Sequence, residues 1–132
     1  MTLSHPLVET GRGYTRAEIS KILGGSPQPY LPHKDGRVVA GCFSVKKGPF
    51  APREILVGEG AGVEGSAAML CQQAEAIPVF MKGPEVMKGE GRWFYSGMYR
   101  VGHWTQDPEV LARYAEEGGR GTLTRVMFLI RA

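Results

Sequence analysis

The sequence predicts an α+β fold in which a curved antiparallel sheet, or a small β-barrel, is flanked by two or three helices. Short runs rich in β-branched and aromatic residues are the first indication, because such residues favour strands. The 19 glycines and 9 prolines are the second, because they separate these runs by frequent turns. The length of 132 residues is the third, since it suits one domain with a core of its own.

The predicted helices have recognisable ends. Thr15 and Glu18 have the spacing of a capping box, in which each side chain bonds the backbone N–H of the other residue. Gly24 then ends this first helix. Two further helices are expected over 66–76, where helix-forming residues concentrate, and from Asp107-Pro108-Glu109, a cap followed by a first-turn proline, to Gly118-Gly119.

Five runs are predicted as strands, and turn residues separate them. A proline-rich loop over 26–36 ends in the turn signal Asp35-Gly36, a glycine-rich turn covers 58–62, and a hairpin loop covers 83–91. Residues 1–13 are expected to be a loose leader, and 14–132 to form a single domain. The strands are expected over 37–43, 53–58, 77–81, 92–101 and 122–130.

The run from Arg92 to Val101 carries four aromatic rings and two arginines. A glycine inside such a run indicates a bulge or a close backbone approach. The rings suit either stacking on bases, with the arginines on phosphates, or burial in a core. Strict alternation places on one face Trp93, Tyr95, Gly97 and Tyr99.

Composition excludes several classes of protein. The net charge of +3 and the pI near 9.0 permit a polyanionic partner without requiring one. No apolar run reaches the roughly 20 residues of a membrane span, and the first residues lack a signal-peptide pattern, so a cytoplasmic location is expected. Cys42 and Cys71 are interpreted as reduced core thiols. No metal-ligand spacing is present, and no cofactor or metal is expected.

The order of these pieces resembles the SRA domain, a reader of modified bases within the PUA-like superfamily. It is most similar to the SRA-like modules of HNH-type, modification-dependent endonucleases. The resemblance covers roughly 14–131 and includes a counterpart of the SRA signature Tyr-Asp-Gly-x-Tyr-x-Val at Trp93–Val101. The other similar fragments are Tyr14–Ser26, Ala40–Phe43, Ile55–Gly60 and Arg125–Arg131.

The resemblance implies that a base is flipped out of the duplex, held between two aromatic rings and read by an Asp. The first ring corresponds to Phe43, whereas the second falls near Leu56 or Val57, which are not aromatic. The Asp falls near Lys46-Lys47, and the Asp of the signature is Ser96 here. Rings that could substitute are Tyr30, Phe50 and Trp93, and acceptors that could substitute are backbone carbonyls, Glu54 and Glu59.

We therefore predict a nucleic-acid-binding module that reads a modified base in double-stranded DNA. The chain contains no nuclease motif, so a separate nuclease partner would do any cutting, and no catalytic residue is assigned. The predicted base-binding residues are Cys42, Phe43, Leu56, Val57, Trp93, Tyr95 and Tyr99. The predicted phosphate-binding residues are Lys46, Lys47, Lys82, Lys88, Arg92 and Arg100.

Two alternatives remain open at this stage. A PUA-like enzyme could hydrolyse a modified nucleoside, using Lys82 with Glu85 or Glu75 as base and orienting group. A related module could instead read a modification in RNA, where single-stranded bases are the usual target.

Overall fold

The computed structural model describes residues 5–83 and 91–132, in which three helices surround a mixed sheet. The helices are α1 (Arg16–Leu23), α2 (Ala61–Gln72) and α3 (Pro108–Glu117). The strands are β1 (Gly13–Tyr14), β2 (His33–Lys34), β3 (Arg37–Val38), β4 (Gly41–Phe43), β5 (Glu54–Gly58), β6 (Ile77–Lys82), β7 (Trp93–Thr105) and β8 (Leu123–Arg131).

The main sheet has the strand order β4-β6-β7-β8-β5, and β1 pairs with the start of β7. It curls into a half-barrel whose two ends are β4 and β5. The predicted α+β class with a curved sheet and three helices is thus confirmed. One pair differs from the expected antiparallel arrangement, because β4 and β6 run parallel. The crossover through β5 and α2 makes this pairing possible, since parallel strands need a long connection.

The capping box predicted for α1 is confirmed. The Thr15 hydroxyl accepts a hydrogen bond from the Glu18 N–H at 3.1 Å, and the Glu18 carboxylate accepts one from the Thr15 N–H at 2.9 Å. The predicted cap of α3 is also present, because the Asp107 carboxylate accepts a bond from the Glu109 N–H at 2.9 Å. Local side-chain chemistry thus fixes the start of both helices.

Helix α2 begins at Ala61, earlier than the helix predicted over 66–76. Its first turns contain glycines, which weaken the helix signal in the sequence. The burial of Ala67 and Leu70 supports the helix through tertiary packing. The helix ends at Gln72. The side-chain amide of the next residue, Gln73, accepts a hydrogen bond from the Val38 N–H at 2.8 Å and donates one to the Val38 carbonyl at 3.0 Å, and these two bonds tie the end of the helix to β3.

The predicted strand over 37–43 is interrupted. The Val39 N–H donates to the Pro32 carbonyl, so the chain bends between β3 and β4. β3 pairs instead with β2, inside the segment predicted as a proline-rich loop. The turn predicted at Asp35-Gly36 joins these two strands, with φ values of 53° and 77°. Positive φ at both central residues matches the twist of a two-residue hairpin.

A β-bulge divides the aromatic strand β7. Val79 pairs with Gly97 and the next residue, Phe80, pairs with Tyr95, so Ser96 is the extra residue. Gly97 has a φ of 123°, which side chains rarely tolerate. The bulge shifts the alternation by one position. The expectation that Tyr95 and Tyr99 share a face is therefore wrong.

The two tyrosines belong to different hydrophobic clusters. Tyr95, 2% exposed, packs with Phe80, and the two ring centroids are 5.7 Å apart. Tyr99, 8% exposed, packs in the larger cluster that also contains Val79 and Met127. A single strand thus contributes large side chains to two cores.

The described part of the expected leader contacts the sheet. The Tyr95 hydroxyl accepts a hydrogen bond from the His5 N–H at 3.0 Å, and Val8 is buried in the same hydrophobic cluster as Tyr95. The Tyr14 hydroxyl accepts a bond from the Glu9 N–H at 2.9 Å. Residues 5–13 are thus held against the hydrophobic cluster that contains Tyr95 and Phe80.

We expect Gly97→Ala to lower the free energy of unfolding by about 1–3 kcal/mol, the usual cost of a strained backbone. The alanine would have to keep a backbone φ of 123°, and its Cβ would lie 2.9 Å from Nη2 of Arg131. Gly65→Ala is the matched control: Gly65 lies in α2 with nothing within 4 Å of its ideal Cβ, so a gain of about 0.5–1 kcal/mol is expected. Urea unfolding of both variants checks the difference, and equal effects would contradict the assigned bulge.

Candidate functional site

An open cleft of about 700 Å³ lies where the half-barrel fails to close, between β4 and β5. Its walls come from both edge strands, the segment before β2, the turns that flank β5, and the first turns of α2. The lining residues are Arg16, Gln28, Pro29, Tyr30, His33, Cys42, Phe43, Ser44, Lys47, Gly48, Ala51, Ile55, Leu56, Gly58, Glu59, Gly62, Val63, Ser66, Lys82, Trp93 and Arg120.

Two rings form one wall of the cleft. The ring centroids of Tyr30 and Phe43 are 6.4 Å apart and their planes meet at 56°. This is the geometry of two rings in contact, so no slot for a third ring lies between them. Phe43 is 5% exposed and rests on Gly41, whose missing side chain leaves room for the phenyl ring. Tyr30 is only partly buried.

Hydrogen bonds fix Tyr30 at both ends. Its carbonyl accepts a bond from the Cys42 N–H at 2.8 Å, which ties it to β4. Its hydroxyl donates to the Val63 carbonyl in α2 at 2.7 Å. Burial raises the pKa of Tyr30 to about 12, so the phenol stays protonated at neutral pH. Burial likewise raises the pKa of the Cys42 thiol to about 11, which makes it a poor nucleophile.

An ion pair between the buried Arg125 and the partly exposed Glu64 holds the first turns of α2 in place. The Arg125 guanidinium on β8 donates to one carboxylate oxygen of Glu64 through Nε and Nη2, at 3.1 and 2.8 Å. The Thr124 hydroxyl donates to the other oxygen at 2.9 Å. The Arg125 guanidinium also lies 4.2 Å from the ring centroid of Trp104. This network positions the end of α2 that lines the cleft.

Arg120, from the turn between α3 and β8, bridges two walls. Its Nη1 donates to the Lys47 carbonyl at 2.6 Å and to the Leu56 carbonyl at 3.4 Å. A Cβ on Gly58 would lie 3.0 Å from its Nη2, so the glycine makes room for the guanidinium. Arg120 thus fastens the turn after β4 to the edge strand β5.

Among residues 5–83 and 91–132, cations outnumber anions around the cleft. Four cations from these residues line it, Arg16, Lys47, Lys82 and Arg120, together with one carboxylate, that of Glu59. Such an excess of positive charge attracts an anionic ligand.

The structure brings some predicted residues to the cleft and places others elsewhere. Those that line it are Cys42, Phe43, Leu56, Trp93, Lys47 and Lys82. Val57, Tyr95 and Tyr99 are buried in the hydrophobic clusters. Lys46, Arg92 and Arg100 are exposed outside it, and Lys88 lies outside the described residues.

Physical reasons account for these placements. The bulge turns Tyr95 away from the face that carries Tyr99, and Val57 is fully buried in the larger cluster. Arg92 pairs with Glu18 at 3.3 Å, beside the start of α1. Of the substitute rings, Tyr30 lines the cleft, whereas Phe50 packs against Tyr114 with centroids 6.0 Å apart.

Sequence reasoning missed Arg16 and Arg120. Each is distant in sequence from the other cleft residues, so spacing gave no signal for either. Gly58 was the nearest hint for Arg120, since a glycine at the end of a strand often allows a close approach.

Within residues 5–83 and 91–132, no group of three or more His, Cys, Asp or Glu side chains could hold a metal ion. Cys42 and Cys71 are both free thiols. No helix in the same residues is long and apolar enough to span a membrane.

Comparison with solved structures identifies the fold. The complex of the SUVH5 SRA domain with hemi-methylated CG DNA is similar to this chain, with a TM-score of 0.57 and 14% identity. The match covers 99% of this chain and 91% of that one. The chain therefore has an SRA/PUA-like fold. No protein-family model matches the sequence, and no curated protein matches it either.

We expect Tyr30→Phe to lower stability at neutral pH by about 0.5–1.5 kcal/mol, through loss of the bond to Val63. In wild type the folded-state pKa of Tyr30, about 12, exceeds the ordinary value of 10.0. Tyr30 therefore contributes stability below pH 10 that is lost as the pH rises towards 12. Unfolding free energies of the two proteins should approach each other above pH 10 and cross before pH 12, because a shift of this size exceeds the contribution of one hydrogen bond. A constant gap would contradict this assignment.

Proposed function

We propose that this protein is a DNA-binding module that reads a modified base in the cleft between β4 and β5. The observation that carries the proposal is an aromatic wall beside a cationic rim, at the open edge of an SRA/PUA-like sheet. Aromatic rings stack on bases and cations hold phosphates, so the cleft offers both interactions that a nucleotide needs.

In this proposal the extruded base stacks on Tyr30. Its ring is the more exposed member of the aromatic wall, and its two hydrogen bonds hold it in a fixed orientation. Because Tyr30 and Phe43 contact each other, Phe43 supports the platform from behind rather than covering the other side of the base. Flipping a base costs a few kcal/mol, so a rigid platform helps to recover that free energy.

Glu59 is the group that we assign to reading the base edge. It lines the cleft beside Gly58, and a carboxylate accepts from the exocyclic amine of cytosine. Glu54, the other carboxylate considered, accepts a hydrogen bond from the Tyr114 hydroxyl at 3.1 Å and does not line the cleft. Glu59 is exposed, so water competes for it, and its preference for a base that carries this amine should be modest.

The hydrolase alternative receives less support. Lys82 lines the cleft, but Glu75 precedes β6 whereas Lys82 ends it. The strand β6, Ile77–Lys82, extends about 16 Å between them, so the two side chains start from opposite ends of this strand. Glu85 lies outside the described residues. In this proposal the module has no catalytic groups, so a separate nuclease partner would cut the DNA. A cytoplasmic location stays a prediction.

The first test measures dissociation constants for duplexes that differ only in one cytosine, which is plain, methylated or hydroxymethylated. We expect tighter binding of a modified duplex by a factor below about 100, which corresponds to roughly 2.7 kcal/mol. All three bases carry the same exocyclic amine, so Glu59→Gln should weaken binding of every duplex alike, whereas Glu75→Gln, which changes an exposed carboxylate outside the cleft, should leave binding unchanged. Equal affinity of wild type for all duplexes would overturn the proposal, and preference for single-stranded RNA would favour the RNA alternative.

The second test is the salt dependence of duplex binding. Each phosphate contact contributes about −0.9 to the slope of log affinity against log salt. Lys47→Ala should reduce the magnitude of the slope by about 0.9, the value of one phosphate contact, since Lys47 lines the cleft. Lys21→Ala serves as the control, because Lys21 is exposed in the last turn of α1 and does not line the cleft. Affinity that stays constant with salt would remove the nucleic-acid function.

A further inference from the structure

Two cations lie over the indole ring of Trp93 at one end of the cleft. The Arg16 guanidinium carbon is 5.2 Å from the ring centroid, and Nζ of Lys82 is 6.0 Å from it. All three residues line the cleft. The indole ring attracts each of the two cations through its negative face.

Arg16 is held there with its hydrogen bonding incomplete. Its Nη2 donates to the Pro29 carbonyl, yet its Nε is buried without a hydrogen-bond partner among the described residues. Buried donors in folded proteins nearly always have an acceptor. The ion pairs in that part of the chain are Arg92–Glu18 and Arg125–Glu64, so neither neutralises Arg16. Within the part of the chain that the structure describes, Arg16 has no anionic acceptor, and a ligand in the cleft could supply one.

We propose that Arg16, supported by Trp93 and Lys82, binds a backbone phosphate of the nucleic acid. This inference rests on the proposed function and extends it. A guanidinium presents a planar fork of donors that matches two phosphate oxygens, and a small change of its torsions would bring Nε into reach of one of them. The indole ring keeps the guanidinium close to the cleft throughout.

The position of this phosphate site defines a path for the strand. Trp93 and Lys82 stand where β7 begins and β6 ends, on the β4 side of the gap. Arg120 adjoins β5, the opposite side, and its hydrogen bond to the Lys47 carbonyl holds the turn that carries Lys47 beside it. A strand that crosses the gap would present one phosphate to each side, with the base between them against Tyr30.

The direct test follows the Nε–H resonance of Arg16 by NMR in the wild-type protein during titration with inorganic phosphate, at an ionic strength held constant with sodium chloride. We expect a saturable shift at Arg16 and none at Arg113. Arg113 is a matched control, because it also stacks on a ring, that of Tyr114, at 5.7 Å and does not line the cleft. A shift at Arg16 no larger than that at Arg113 would overturn the inference.

The second test compares salt slopes for duplex binding. Arg16→Gln should reduce the slope by about 0.9, Arg113→Gln should leave it unchanged, and Arg16→Lys should retain it because the charge remains. If wild type binds DNA and Arg16→Gln keeps the full slope while folded, the inference fails and the proposed function stands. If wild type binds no nucleic acid, the proposed function fails, and the phosphate titration alone decides whether Arg16 is an anion site.

Discussion

The gap between β4 and β5 is the constraint on which the rest of the molecule depends. A closed barrel would join these strands through a ladder of backbone hydrogen bonds. Here β4 pairs with β6 and β5 pairs with β8, so each has one strand neighbour in the sheet. On the side of β4 that faces the gap, the Cys42 N–H donates a hydrogen bond to the Tyr30 carbonyl instead. Side chains and hydrogen bonds from neighbouring segments therefore line the gap. This lining makes a cleft of this size compatible with a stable fold.

Long-range polar contacts keep the opening at a fixed width. The pair Glu64–Arg125 joins α2 to β8, and Arg120 joins the turn after β4 to β5. Both contacts use an arginine, whose several donors can satisfy more than one acceptor. Removal of Glu64 would be costly, because the buried Arg125 guanidinium would lose its carboxylate partner. The cleft is therefore preorganised, which lowers the cost of ordering it when a ligand binds.

The features that sequence analysis predicted well are those that neighbouring residues determine. The capping box of Thr15 and Glu18 and the turn at Asp35-Gly36 are examples, since each is completed within four residues. The fold class followed from strand composition and from the order of short motifs. The start of α2 was missed because its support comes from packing rather than from helix propensity.

The candidate site was only half predicted, for a related reason. Gly97 indicated a bulge or a close backbone approach in this run, but which residue is extra, and which side chains change face, depends on how β7 pairs with β6. Residues expected on one surface, such as Tyr95 and Tyr99, are therefore divided between two cores. Arg16 and Arg120 reach the cleft through folding contacts with distant segments, so no spacing rule could include them.

The strand order also determines when the cleft can form during folding. β4 and β5 are close in the sequence, but three strands separate them in the sheet. Their positions become fixed only after β6, β7 and β8 have assembled, as in the contact between Thr124 and Val57, which lie 67 positions apart. Pairings of such long sequence separation are slow to form, because a large loop must first be closed. The cleft is thus completed late, so a chain that has folded only in part has no binding surface to offer.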